Sequence, residues 1–204
     1  GYVLNDYMDV NFDKRSKELS ERPLVKGSVS RRAALVIIIS CLVALFIIPI
    51  IFFRHILLIF LLLISVVLGI FYNTFCKKIV GSELFLAGAM ASFCLFGAVA
   101  VSEDIQGLHE LGSITWVVVI LMFLYVFIMD MFEGQFKDVE NDRKAGAITL
   151  PIYLGVRTTK KMHVPISFKV LNIFSKSFLI ILIFIPFIFL DFTFWIWQIF
   201  ILIG

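Results

Sequence analysis

The sequence is poor in the side chains that most often bind transition metals. It has only three cysteines and three histidines among 204 residues. The cysteines share no metal-ligand spacing and lie in or beside apolar segments, so we expect them to be small buried hydrophobic residues. The histidines are isolated and receive no chemical role. The six residues are Cys41, Cys76, Cys94, His55, His109 and His163.

Charged residues are also scarce, and apolar residues take their place. Aspartate, glutamate, lysine and arginine make up 16% of the chain, whereas apolar residues make up 61%. A soluble domain is about half apolar, so the composition indicates an integral membrane protein. The sequence begins without methionine and stops inside an apolar run. We therefore expect a single transmembrane domain, residues 1–204, that is incomplete at both ends.

Apolar runs long enough to cross a bilayer, which needs about 20 residues, follow one another along the chain. Only Arg54 and His55 separate the first two, so these form a tight helical hairpin. The third is rich in small residues, which permit close helix packing. The sequence predicts an all-α, polytopic transmembrane bundle. The predicted spans are 33–53, 56–75, 79–101, 114–132, 166–190 and 192–203, with Asp191 at the last turn.

Positive charge is concentrated at one end of these spans. Alternation places residues 1–32, 76–78 and 133–161 on the same side, and they hold 7, 2 and 6 of the 18 lysine and arginine residues. The opposite loops hold only Arg54, and residues 102–113 are acidic. Because cytoplasmic loops carry an excess of lysine and arginine, we expect the segments 1–32 and 133–161 to be cytoplasmic loops.

The first of these loops contains an acidic motif, NDYMDVNFD. On a helix, Asn5, Asp9 and Asp13 fall on one stripe, and Asp6 lies on the same flank. Like charges at this spacing repel one another, whereas hard divalent cations such as Mg2+ take oxygen ligands and share them with substrate phosphates. The motif therefore predicts a metal site. The alternative is a solvated helix end whose acids pair with neighbouring lysines and arginines.

A second acidic motif lies in the other main loop, DMFEGQFKDVENDRKAGAITLP. Asp138 and Asp142 are again four residues apart. Since both motifs occupy helix ends on the same predicted side, we expect them to face each other across a cavity. Metal ions would then bridge carboxylates to a diphosphate, and basic side chains would neutralise its remaining oxygens. The candidates for that second task are Arg22, Lys77, Lys137 and Arg143.

Together the motifs resemble the signature of the UbiA superfamily of intramembrane prenyltransferases. NDYMDVNFD resembles its N-D-x-x-D-x-x-x-D motif, and KDVENDRKAGAITLP resembles its D-x-x-x-D motif followed by Arg, a Gly-containing turn and Leu-Pro. ERPLVKG resembles its Asn-Arg-Pro-Leu segment, and YNTFCK its Tyr-x-x-x-x-Lys segment. Glu21 departs from the usual asparagine. Gln135 replaces an aspartate of some aromatic prenyltransferases, which weighs against those branches.

The resemblance implies a bundle of about nine transmembrane helices around a central cavity. Mg2+ on the two motifs would bind an isoprenyl diphosphate at the cytoplasmic end and promote its departure, and a lipophilic acceptor would attack the prenyl carbocation. Membrane lipid is expected as a partner, and nucleic acid is not. The implied metal ligands are Asp6, Asp9, Asp13, Asp138 and Asp142, the last four also catalytic. The implied substrate-binding residues are Asn5, Arg22, Tyr72, Asn73, Lys77, Lys137 and Arg143.

The acceptor is less defined than the donor. The resemblance leans toward the archaeal lipid branch of the family, in which a geranylgeranyl group moves to geranylgeranylglyceryl phosphate, and it thereby implies an archaeal cell membrane. Prenylation of an aromatic quinone precursor or a tetrapyrrole is the alternative. A cation transporter is the alternative of another class, because ionisable residues in membrane bundles mark ion pathways. It would need acids near mid-membrane, whereas Asp130 approaches a helix end.

Overall fold

Residues 2–14, 19–53, 55–102, 107–158 and 162–190 are described by the computed structural model. Within these ranges the chain is almost entirely helical. The strands found there form one antiparallel hairpin, in which Arg157–Thr158 pairs with Met162–His163. Among the described residues, five helices are long and apolar enough to cross a membrane. The predicted all-α, polytopic transmembrane bundle is therefore confirmed.

The long helices coincide with the apolar runs of the sequence, and most of the short helices lie in the charged segments between them. The described helices are α1 (Tyr2–Asp13), α2 (Pro23–Lys26), α3 (Arg31–Phe52), α4 (Ile56–Phe75), α5 (Glu83–Ala100), α6 (Ser113–Met129), α7 (Gln135–Lys137), α8 (Val139–Ala145), α9 (Leu150–Tyr153), α10 (Ile166–Ile183) and α11 (Ile185–Phe189). Turns of 3-10 helix cover Leu19–Glu21 and Leu108–Glu110. A π-helical segment, Asp130–Gly134, joins α6 to α7. The candidate spans are α3, α4, α5, the continuous run Ser113–Lys137 and α10.

The observed spans differ from the predicted ones at their ends. The third begins at Glu83 rather than at residue 79, because Gly81 has a φ of 91° that interrupts the helix. The fourth continues past residue 132 through the π-helical segment. The fifth ends at Ile183, just before Pro186, since proline cannot donate the hydrogen bond that a helix interior needs. The predicted span 192–203 and the turn at Asp191 lie outside the described residues.

Packing between the helices brings the charged segments to one end of the bundle. The helices α4, α5 and α6 pack in sequence order, and α10 packs on α6. The amphipathic helix α1 contacts α3, α4 and α8. Phe132, Val139 and Phe168 belong to one buried apolar core. The described parts of the segments predicted to share a side, residues 2–14, 19–32, 76–78 and 133–158, therefore converge in space.

Candidate functional site

Polar side chains from several elements surround one cavity, of about 210 Å3, where α1 and α8 meet. Eight of the twelve residues predicted to bind metal or substrate line it, so the two acidic motifs open into a shared cleft. The eight are Asn5, Asp9, Arg22, Tyr72, Lys77, Lys137, Asp138 and Asp142.

The first motif is organised by Arg22, which folds back onto α1 from the turn before α2. Its guanidinium donates hydrogen bonds to Asp6 Oδ1, at 2.8 Å, and to Asp13 Oδ2, at 2.9 Å. Asp13 is fully buried, and its other oxygen, Oδ1, has no hydrogen-bond partner. Burial raises the pKa of Asp13, although the charges of Arg22 and Lys77 oppose the effect. Arg22 therefore fixes the acidic stripe without fully neutralising it.

Lys77 connects the two motifs. Its ammonium group lies 2.9 Å from Asp9 Oδ2 and 3.8 Å from Asp142 Oδ1, and both carboxylates are buried. Burial disfavours the charged form of Lys77, but the hydrogen bond to Asp9 and the charges of Asp9 and Asp142 outweigh it and raise the Lys77 pKa. The lysine is thus a permanent cation between two carboxylates from distant segments.

The second motif is held in place by its backbone. Gly146 ends α8 with a φ of 77°, the left-handed conformation that suits glycine at a helix C-terminus. The following chain turns back, so that Ala147 N donates to Asp142 O and Ile148 N donates to Lys77 O, each at 2.9 Å. These bonds tie the segment after Asp142 to the turn that carries Lys77.

Asp142 itself has an unusually high pKa for a carboxylate. Burial, together with the charges of Asp138 and Asp9, raises its pKa to about 6, and Lys77 only partly opposes this. Asp138, the other acid of the motif, is exposed at the cavity edge. Asp142 is thus a buried acid with Lys77 as its neighbouring cation, whereas Asp138 is exposed and accessible to incoming ions.

Four of the predicted residues lie outside the cavity lining. Asp6 and Asp13 are held behind it by Arg22. The Asn73 amide donates to Gly69 O at 2.7 Å within α4. The Arg143 guanidinium donates to Val156 O, which places it against the start of the hairpin. The substrate-binding roles assigned to Asn73 and Arg143 remain predictions.

Several cavity residues were missed or undervalued by the sequence reasoning. Asp130 and Tyr72 lie close enough to interact, and an acid within a span is itself a signal of function. Gln135 was noted only as a departure, yet its Oε1 accepts from Leu150 N at 3.1 Å. Cys76 is buried as expected, and burial raises its pKa to about 12, so it is a neutral thiol. The same expectation is wrong for Cys41, which is exposed on the side of α3, and Cys94 is half-buried. Nothing in the sequence singles out Thr149.

The donor chemistry of the cavity fits a hard divalent cation. Carboxylate and amide oxygens are the ligands that Mg2+ takes. One buried oxygen of Asp13 has no hydrogen-bond partner, and burial raises the pKa of Asp142, so a cation at this place would stabilise both carboxylates. Among the described residues, no three histidine, cysteine, aspartate or glutamate side chains already converge as a metal-binding group. The Lys77 ammonium fills the space between Asp9 and Asp142 instead.

Comparisons with known proteins agree with the motifs. The sequence model described as the UbiA prenyltransferase family matches residues 1–204. The digeranylgeranylglyceryl phosphate synthase of Hyperthermus butylicus is 31% identical over 164 residues, which cover 78% of this chain and 52% of the relative. The synthase of the same name from Haloquadratum walsbyi is 29% identical over 164 residues, with coverages of 76% and 51%. The chain thus spans about half the length of these relatives. No solved structure matches it significantly.

Proposed function

Because this chain belongs to the UbiA prenyltransferase family, we propose that the protein transfers an isoprenyl group from its diphosphate to a lipophilic acceptor within the membrane. The observation that carries the proposal is the shared cavity, into which Asp9 of the first motif and Asp138 and Asp142 of the second all open. Lys77 supplies one positive charge beside these three carboxylates, and carboxylates that outnumber their cations repel one another unless further cations bind. A metal-loaded diphosphate supplies such cations.

The cavity provides charges of both signs for a diphosphate. Asp9, Asp138 and Asp142 would hold Mg2+, with Asp6 and Asp13 behind them. When bound, the metal neutralises the diphosphate oxygens and makes the group a better leaving group. Three basic residues line the same cavity and would bind the remaining oxygens directly. They are Arg22, Lys77 and Lys137.

The donor we propose is geranylgeranyl diphosphate, and the acceptor is geranylgeranylglyceryl phosphate. Support comes from the two relatives, both named digeranylgeranylglyceryl phosphate synthase. Gln135, where some aromatic prenyltransferases have aspartate, agrees with an acceptor that is not aromatic. We further propose that the cavity faces the cytoplasm of an archaeal cell, because lysine and arginine are concentrated in the segments that form it.

The decisive experiment supplies the full-length protein in liposomes with labelled geranylgeranyl diphosphate, with and without Mg2+. Geranylgeranylglyceryl phosphate and an aromatic quinone precursor are offered as separate acceptors. We expect a metal-dependent ether product with the first. Asp9→Asn and Asp138→Asn should each lower transfer by about 100-fold or more, as the loss of one electrostatic contact to a reacting group does. Thermal unfolding confirms that both variants are folded.

Glu140→Gln is the matched control. Glu140 lies on α8 with the second motif, but it is exposed and pairs with Lys144 outside the cavity. Its substitution should leave transfer unchanged. Product formed only from the aromatic acceptor would favour the other branch of the family, and transfer without divalent metal would contradict the metal site. Ion flux without any prenylated product would refute the enzyme and favour a transporter.

A further inference from the structure

One carboxylate in the cavity has no task in binding the diphosphate. Asp130 lines the cavity, but none of the ion pairs within the described part of the chain involves it. Its Oδ2 atom is buried and has no hydrogen-bond partner. Asp6, Asp9, Asp13 and Asp142, by contrast, each have a lysine or arginine within ion-pair distance. A buried oxygen without a donor is costly, so a ligand that donates to it would be favoured.

The π-helical segment sets the position of this carboxylate. Asp130 is its first residue and Gly134 its last. A Cβ atom at residue 134 would overlap Asp130 Oδ1, so the carboxylate lies directly over the glycine. A π-helical insertion of this kind is frequent at functional sites. Glycine at residue 134 therefore lets the Asp130 carboxylate face the cavity. Any larger side chain at that residue would displace the carboxylate.

Two further polar groups mark this part of the cavity as a place for a ligand. Tyr72 of α4 lies beside Asp130 and also lines the cavity. Thr149 is only 1% exposed, lines the cavity too, and its hydroxyl has no hydrogen-bond partner. Buried polar groups are normally satisfied. These groups therefore call for a ligand that forms hydrogen bonds and carries no negative charge at the contact, since among the described cations only Lys137, beyond ion-pair distance, acts on Asp130.

We propose that Asp130 is the proton acceptor of the transfer and that it and Tyr72 hold the reacting hydroxyl of the acceptor. The inference rests on the proposed function. In the reaction, the bond between carbon 1 of the prenyl chain and the diphosphate oxygen breaks, and its electron pair leaves with the diphosphate. The acceptor oxygen forms the new bond to carbon 1. Its proton passes to Asp130 Oδ2 and from there to water.

The charges in the cavity explain why this task falls to Asp130. A carboxylate already paired with a lysine or arginine is a weaker base, because the cation stabilises its charged form. Asp9 and Asp142 share Lys77, and Asp13 is paired with Arg22. Asp130 is the cavity-lining aspartate that combines an unpartnered buried oxygen with the absence of a described ion pair. It can therefore accept a proton without first losing a cation.

The test separates proton transfer from diphosphate binding. Asp130→Asn keeps the shape of the side chain but cannot take up the proton, so transfer should fall by about 100- to 10,000-fold, the usual range for a lost general base. The affinity for geranylgeranyl thiodiphosphate, which reports only the diphosphate site, should stay within about twofold. Asp130→Glu, which keeps the carboxylate, should retain more activity than Asp130→Asn.

Glu133→Gln is the matched control, since Glu133 lies in the same π-helical segment but pairs with Lys176 outside the cavity. It should transfer at the rate of the unchanged protein. Full transfer by Asp130→Asn would overturn the proposal, and so would loss of thiodiphosphate binding in that variant. An unchanged protein that neither binds the analogue nor makes product would instead refute the proposed function.

A measurement on the unchanged protein keeps the inference testable if Asp130→Asn does not fold. An acceptor analogue with hydrogen in place of the reacting hydroxyl lacks the group that Asp130 and Tyr72 are proposed to bind. It should compete for the acceptor site about tenfold or more weakly than the hydroxyl form. Equal affinity for the two compounds would overturn the proposal.

Discussion

A single ammonium group, that of Lys77, lies between buried carboxylates from opposite ends of the described site. Its side chain is 20% exposed. Removing one partner of a buried ion pair leaves an uncompensated charge and costs about 3–5 kcal/mol. Lys77→Met should therefore lower the free energy of unfolding by about 3 kcal/mol, measured by denaturation in detergent.

Lys144→Met serves as the control for that measurement. Lys144 is 59% exposed and pairs with Glu140 on the surface of α8. An exposed pair of this kind contributes less than about 1 kcal/mol. Equal losses in the two variants would contradict a special role for the buried bridge.

Asp142 should make the metal-free protein less stable as the pH rises. Its pKa of about 6 lies above the ordinary 3.8, so the folded state binds the proton more tightly than the unfolded state. Stability attributable to this group is therefore present below about pH 4 and is lost between pH 4 and 6, a change of about 3 kcal/mol at most. Asp142→Asn should flatten this part of the pH profile of the unfolding temperature. An unchanged profile would contradict the raised pKa.

Spacing alone identified most of the acidic residues correctly as neighbours of the cavity. Asp9 and Asp142 lie on helix stripes whose direction follows from periodicity. Arg143 illustrates what spacing cannot give, because its contact with Val156 O depends on how the chain returns after α9. From the sequence alone, Asp130 serves only as evidence against a transporter. Its proposed role depends on its position in the cavity, which no local sequence pattern reveals.

The π-helical segment is the element on which the further inference depends. Gly134→Ala would place a methyl group against the Asp130 carboxylate and push it from its position. We expect transfer to fall by at least about tenfold and stability to fall by roughly 1–3 kcal/mol, the cost of overpacking. Activity and thermal unfolding, both in detergent, provide the two measurements.

Gly97→Ala is the comparison for this variant. A Cβ atom at Gly97 in α5 meets no other atom within 4 Å. Alanine is favoured over glycine within a helix by about 0.5–1 kcal/mol. Gly97→Ala should therefore be as active as the unchanged protein and no less stable. If Gly134→Ala transferred the prenyl group at the rate of the unchanged protein, the close contact between residue 134 and Asp130 would not matter for activity.

The long helices were predictable from hydropathy, and their ends were not. Mean hydropathy finds α4 to the residue, because His55 precedes its apolar run and the lysines at 77 and 78 follow it closely. It misplaces the start of α5, where the positive φ of Gly81 interrupts an otherwise apolar stretch. It also cannot detect a π-helical segment, since a change of hydrogen-bond register leaves the composition of the run unchanged.

At the scale of the whole molecule, the charge distribution predicts how the bundle crosses the membrane. In a variant without native cysteines, a cysteine at Lys144 should react with a membrane-impermeant maleimide from the cytoplasmic side only, because positive loops stay inside. A cysteine at His109 should react from the opposite side only. Both positions are exposed, so each is accessible to the reagent. Labelling of both from one side would refute the topology.

The sequence predicts more of the overall architecture than of the individual side-chain contacts. Apolar runs separated by charged loops allow few arrangements. Alternation correctly predicted that the described residues of segments 1–32, 76–78 and 133–161 lie at one end. The expected total of about nine helices remains a prediction. The hairpin Arg157–Thr158 with Met162–His163 was not foreseen, because strands of two residues have no periodicity to recognise.

The Lys77 bridge also has a consequence for a cell whose magnesium supply fluctuates. A protein that brings its own counter-ion to the junction of its acidic segments does not depend on metal for assembly. Chelation with EDTA should therefore stop turnover and leave the unfolding temperature nearly unchanged. A large drop in the unfolding temperature would show that the ion also stabilises the fold. With the proposed magnesium dependence, the enzyme would stay folded during a shortage and regain activity when the ion returned.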